Sequence, residues 1–200
     1  TITIPLTTDY IGYYAFYGCP QIGAYAVNAL NPYFTAENGI LYSKSKDRII
    51  ICPTAKTGTI TLPQNTISVD PGAFNNCTGI TGNIHLPASL NYLGEYAFYN
   101  CSAINGFTVD DTNQYFSAAD GVLFSKNQEQ LYLCPLNKAG AYSVPSSVKH
   151  IGYAAFDGCS KLTEINLTDN IQKIGEYAFE YCTGISSLTI PKNTDSIGAG

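Results

Sequence analysis

Charge is scarce in this sequence. Asp, Glu, Lys and Arg together make up 12% of its 200 residues, and only two histidines occur. Long surface helices draw on Lys, Glu and Arg for their exposed faces, so this composition favours strands and tight turns. The net charge of −5 excludes nucleic acid as a partner, because phosphate binding needs clustered Lys and Arg. No apolar run reaches the roughly 18 residues of a membrane helix. The most apolar stretch, Ile49-Ile50-Ile51-Cys52, is strand-sized, so direct membrane insertion of this segment is not expected. No signal peptide is present.

Several catalytic signatures are also missing. The closest two of the seven cysteines are 23 residues apart, so there is no C-x-x-C zinc or redox motif. His85 and His150 occupy different repeat positions and are not placed to converge on a metal or a triad. The carboxylates show no repeated spacing that would set a general-acid pair on one face. Glycines follow the repeat and form no phosphate-binding loop. The expectation is a chain with no cofactor, no metal and no catalytic residues.

What is abundant is self-similarity. Ala-Phe-x-x-Cys occurs five times, ending at Cys19, Cys77, Cys101, Cys159 and Cys182. The cysteine steps are 58, 24, 58 and 23, so short and long units alternate in a super-repeat of 82 or 81 residues. Cys52 and Cys134 obey it, being 82 apart. The short unit reads L-x-x-I-x-L-x-x-x-I-x-x-I-G-x-x-A-F-x-x-C, from Leu162, Ile165 and Leu167 through Ile174-Gly175 to Cys182. The Cys77 copy departs furthest, with Asp70 where Gly belongs.

The I-x-L pair has period two and predicts a short strand with alternate side chains inward. The later Ile, Ala, Phe and Cys recur irregularly and suit an irregular or short helical return segment. Gly after Ile implies positive φ or close backbone approach. One such unit cannot bury its own apolar face, whereas stacked units share a core. The fold expected over residues 1–200 is therefore a single repeat solenoid. Its short parallel strands stack in a curved sheet, with the five Phe residues in one inward column. Residues 31–53 and 113–135 align at the 82-residue offset, from Asn31/Asn113 to Pro53/Pro135, and predict inserted β-hairpins. The pattern is cut at both ends, by Thr1-Ile2-Thr3-Ile4-Pro5 and by Ser196-Ile197-Gly198. A fragment of a longer array is expected, with signal and anchor elsewhere.

These residues resemble the BspA-like leucine-rich repeat family. The resemblance rests on Thr61-Leu62-Pro63, Ile174-Gly175, Ala178-Phe179 with Cys182, and Asp120-Gly121-Val122-Leu123-Phe124-Ser125-Lys126. It covers essentially the whole chain. It implies a leucine-rich-repeat-like solenoid from a secreted or cell-surface protein. The family's proposed role is adhesion to a host extracellular-matrix or microbial surface protein, and it has no common catalytic residues to carry over.

Two surfaces are candidates for binding. The central residue of each I-x-L strand should face solvent, giving a small, uncharged stripe that includes Thr61, His85, Thr108, Ser143, Asn166 and Thr189. Thr is also simply a good exposed strand residue. Tyrosines beside the Phe position, including Tyr14, Tyr96 and Tyr177, offer contact area with a polar tip and fit a protein or a glycan. Their alternative is packing between neighbouring turns. A purely structural spacer for another domain is the third reading. The repeat cysteines are expected to be free, buried thiols. Disulfides Cys77–Cys101 or Cys159–Cys182 are allowed by rung spacing, but the odd total and parallel side chains disfavour them.

Overall fold

The computed structural model describes residues 1–200. It contains 19 short strands and no helix. The chain divides into two compact units, residues 1–82 with 87–103 and residues 83–86 with 104–200. Each is a stack of β coils.

In the first unit Ile2–Ile4 pairs in parallel with Tyr25–Val27, and Thr57–Gly58 with Gly79–Ile80. Between these pairs sits the inserted module. It is a three-stranded antiparallel meander, not a two-stranded hairpin: Phe34–Glu37, Ile40–Ser43 and Arg48–Ile51. Asn38 and Gly39 have φ of 50° and 81°, the signature of a two-residue hairpin turn that Asn-Gly favours. The third strand leaves the meander in parallel register with Ser68–Val69, which pairs onward with Tyr92–Leu93. The inserted module thus supplies one rung of the second, shorter ladder.

The second unit repeats this plan. Gly82–Leu86, of which 83–86 belong here, pairs with Ile104–Val109, and Gly140–Ser143 pairs in parallel with Leu162–Asn166. Its meander is Phe116–Ala119, Val122–Ser125 and Gln130–Leu133, turning at Asp120-Gly121. The third strand leads a parallel ladder through His150–Ile151, Lys173–Ile174 and Ser196–Ile197.

The A-F-x-x-C return segments are trains of turns, and the short-helix alternative does not form. A helical N–H bonds four residues back within its own segment. Here alternate N–H groups leave for the next coil instead: Gly72 donates to Glu95 O (3.0 Å), Phe74 to Ala97 O (2.8 Å) and Asn76 to Tyr99 O (2.9 Å). Ala154, Phe156 and Gly158 do the same to Glu176, Ala178 and Glu180. The geometry requires positive φ twice per segment, at Gly72 (68°) and Asn76 (59°), or at Tyr177 (55°) and Tyr181 (53°). The Gly of the Ile-Gly pair serves close approach and not positive φ: a Cβ on Gly94 would lie 2.2 Å from Pro71 N.

The Phe rings stack within each unit. Phe74 and Phe98 are 4.9 Å apart and 8° from parallel, and Phe156 and Phe179 are 5.4 Å and 16°. Phe16 departs from the single column expected; half-buried, it tilts against Tyr25 at 5.3 Å. The long repeat step explains this, because the meander's rung brings Ile49 to Cys52 and no Ala-Phe pair. All seven cysteines are free, and six are buried. Cys101 donates its thiol to Phe74 O and Cys182 to Phe156 O, both at 3.0 Å. Burial pushes the Cys182 thiol up to about 12, so it stays protonated.

Candidate interaction surface

The predicted strand-face residues are exposed. Thr61, His85, Thr108, Ser143, Asn166 and Thr189 all face solvent, while their flanking Ile, Leu, Tyr or Val neighbours are mostly buried. Four of them meet in pairs within the second unit. His85 Nδ1 lies 3.1 Å from Thr108 Oγ1, and Asn166 Nδ2 donates to Ser143 Oγ at 3.5 Å. Thr61 and Thr189 lie outside any strand, so the regular strand face expected there is not formed. Thr189 and Asn166 instead line a polar hollow of about 200 Å³ with Glu164, Asp169 and Ser187.

The strand face is also interrupted. The meander tip inserts beside Ile104–Val109, where Phe107 N donates to Gly121 O at 2.9 Å and Gly106 faces the Gly121 backbone. Lys138, just before the next strand pair, holds Asp120 through its carbonyl (2.8 Å) and its carboxylate (2.6 Å). The first unit repeats the device, with Tyr25 N donating to Gly39 O (2.9 Å) and Lys56 Nζ to Asn38 O (2.6 Å). The stripe is therefore a series of paired strands separated by meander tips.

The tyrosines divide by role. Tyr96 packs edge-to-face on Tyr99 (5.2 Å) and Tyr177 on Tyr153 (5.8 Å), and both are half-buried. Tyr14 donates to Glu95 O (3.4 Å) with its ring over Gly72. Burial and then the Glu95 charge push its hydroxyl pKa up. Tyr14 and Tyr177 thus contact a neighbouring coil, whereas Tyr96 packs within its own return segment. More open are Tyr10 (76% exposed), Tyr13 (56%) and Tyr17 (62%) in the first unit.

One arrangement has no counterpart in the sequence reading. Asp70, at the position where other copies carry Gly, is buried and accepts a bidentate pair from Arg48: Nε to Oδ1 at 2.6 Å and Nη2 to Oδ2 at 2.7 Å. The guanidinium carbon lies 6.0 Å from the centroid of the Tyr13 ring. Hydrogen bonding to Asp70 raises the Arg48 pKa, so it stays charged throughout. Arg48 is the sole arginine of the chain, and that rarity together with the Gly-to-Asp departure was the available signal.

A family model described as the BspA type leucine rich repeat region matches in six copies, over residues 1–46, 52–131 and 127–200. Among solved structures, the pneumococcal vaccine antigen PcpA aligns with TM-score 0.67 and 22% identity, covering 96% of this chain and 51% of that one. A leucine-rich repeat protein from Eubacterium ventriosum aligns with TM-score 0.58 and 23% identity, over 98% of this chain and 56% of its own. A leucine rich cell surface protein from Faecalibacterium prausnitzii aligns with TM-score 0.58 and 22% identity, over 98% and 68%. The chain thus spans about half the length of the first two. No curated protein matches it. At these identities the structural likeness speaks to fold.

Proposed function

The chain belongs to the BspA-type leucine-rich repeat family, and from that premise we propose that it is a secreted or surface-displayed module that binds a protein partner without catalysis. The observation that carries this reading is the exposed, uncharged strand face. The paired strands of the second unit turn polar side chains outward, where His85 meets Thr108 and Asn166 meets Ser143 across neighbouring strands. Small residues fixed on a stacked scaffold lose little side-chain entropy when a partner docks, which favours association over a broad area. The stripe residues Thr61, His85, Thr108, Ser143, Asn166 and Thr189 are assigned to that contact, with an extracellular-matrix or microbial surface protein as the partner.

The test is a binding panel of extracellular-matrix proteins against the full-length protein and a Thr108→Lys/Asn166→Lys variant. The expected result is capture of a matrix protein by the parent and its loss in the variant at unchanged melting temperature. Binding that ignores both substitutions would move the contact off the strand face.

A further inference from the structure

The first unit carries a second, chemically different site. Arg48, Ser68 and Tyr92 occupy matching register positions on three adjacent parallel strands. Their neighbours Ile49 and Val69 are fully buried and Leu93 is half-buried, so these three face outward, with Tyr92 about 10 Å from Arg48 at ordinary strand spacing. Tyr13 lies against the Arg48 guanidinium, and Tyr10 is close enough to act on it electrostatically. Buried Asp70 clamps one edge of the guanidinium, through Nε and Nη2. Nη1 makes no hydrogen bond within the protein, and the side chain is 40% exposed. A planar donor group is thus locked in place and open at one edge, beside exposed flat rings.

We propose that this cluster is a glycan-binding site that takes a neutral pyranose, with Tyr10 or Tyr13 stacked on its C–H face and Arg48 donating to its oxygens. Asp70 already balances the guanidinium charge, so Arg48 acts as a rigid hydrogen-bond donor and not as an uncompensated cation. Asp47 lies next to Arg48 in the chain, Glu95 stands by Tyr14, and the whole chain carries −5. An acidic sugar meets repulsion there; a neutral one does not. Tyr rings supply a broad amphipathic face for the apolar side of the sugar. The site uses none of the strand-face stripe, so either assignment can fail while the other stands.

The experiment is a glycan array carrying neutral hexose, N-acetylhexosamine and uronic- or sialic-acid oligosaccharides, read at low and high salt with the full-length protein. Bound neutral oligosaccharides are then titrated by calorimetry. The expected result is neutral-glycan binding insensitive to salt. Tyr10→Ala/Tyr13→Ala should weaken it about tenfold at unchanged melting temperature. Arg48→Met/Asp70→Asn, which removes the donor fork without stranding a buried charge, should abolish it, and a melt establishes that this variant is folded. No neutral binding, binding confined to acidic glycans and lost in salt, or neutral binding that survives the tyrosine variant would each overturn the proposal.

Discussion

The ring of Tyr14 lies across the backbone of Gly72, so close that a Cβ at Gly72 would sit 2.2 Å from Tyr14 Cε1. The two residues are 58 apart in sequence and meet because the meander's rung brings no Ala-Phe segment of its own. Gly72 is further constrained by its φ of 68°. Gly72→Ala is expected to cost about 1–3 kcal/mol, from left-handed strain plus displacement of the ring. A double-mutant cycle with Tyr14→Ala checks it by denaturant melts. The Gly72 penalty should shrink when the ring is absent, and equal penalties would show that the ring is not in contact.

Asn31 is fully buried, and its side chain is fully used. Nδ2 donates to Pro5 O (2.8 Å), Leu6 O (3.3 Å) and Thr8 O (2.9 Å), while Oδ1 accepts from Tyr33 N and Phe34 N, both at 2.8 Å. The amide thereby pins the meander to the preceding turn. Asn31→Ala leaves those backbone groups without partners and should cost about 2–4 kcal/mol. Asn31→Asp should cost more at neutral pH, because a carboxylate would face three carbonyls. Melting curves of both variants measure this, and a loss below about 1 kcal/mol for Asn31→Ala would contradict it.

Asp157 provides a pH signature. It is 6% exposed, its Oδ1 has no partner, and Glu180 occupies the same position on the next coil. Burial, and then the Glu180 charge, push its carboxyl up to about 6. A folded-state pKa above the unfolded value means that the native state holds the proton more tightly. This contribution is therefore complete below about pH 4 and lost as pH rises through about 6. Asp157→Asn should flatten that dependence and raise stability at neutral pH. Denaturation midpoints across pH 4 to 7.5, roughly spanning both pKa values, test this; identical profiles for parent and variant would refute it.

Much of this architecture was legible in the sequence, because the repeat encodes it locally. Ala-Phe-x-x-Cys and Ile-Gly located the coils, and the 82-residue offset located both insertions. The first meander strand was missed although Asn38-Gly39 and Asp120-Gly121 announce the turn that follows it, since Phe34–Glu37 lacks a strong apolar pattern. The return segments resisted assignment for a different reason: their hydrogen bonds go to a neighbouring coil, so no periodicity within the segment records them. The Arg48–Asp70 pair was hidden likewise. Asp70 is visible as a departure, but its partner becomes clear only when the meander sets Arg48 beside Ser68.

That stacked repeats share their interiors and keep the strand face outward is tested most directly by comparing Phe98→Ala and Phe156→Ala with Thr108→Ala in one denaturant melting series. Both Phe rings are buried and stacked on a neighbouring coil, whereas Thr108 is exposed. Losses of about 3–5 kcal/mol are expected for each Phe and under about 1 kcal/mol for Thr108. Equal losses, or a larger one for Thr108, would contradict it.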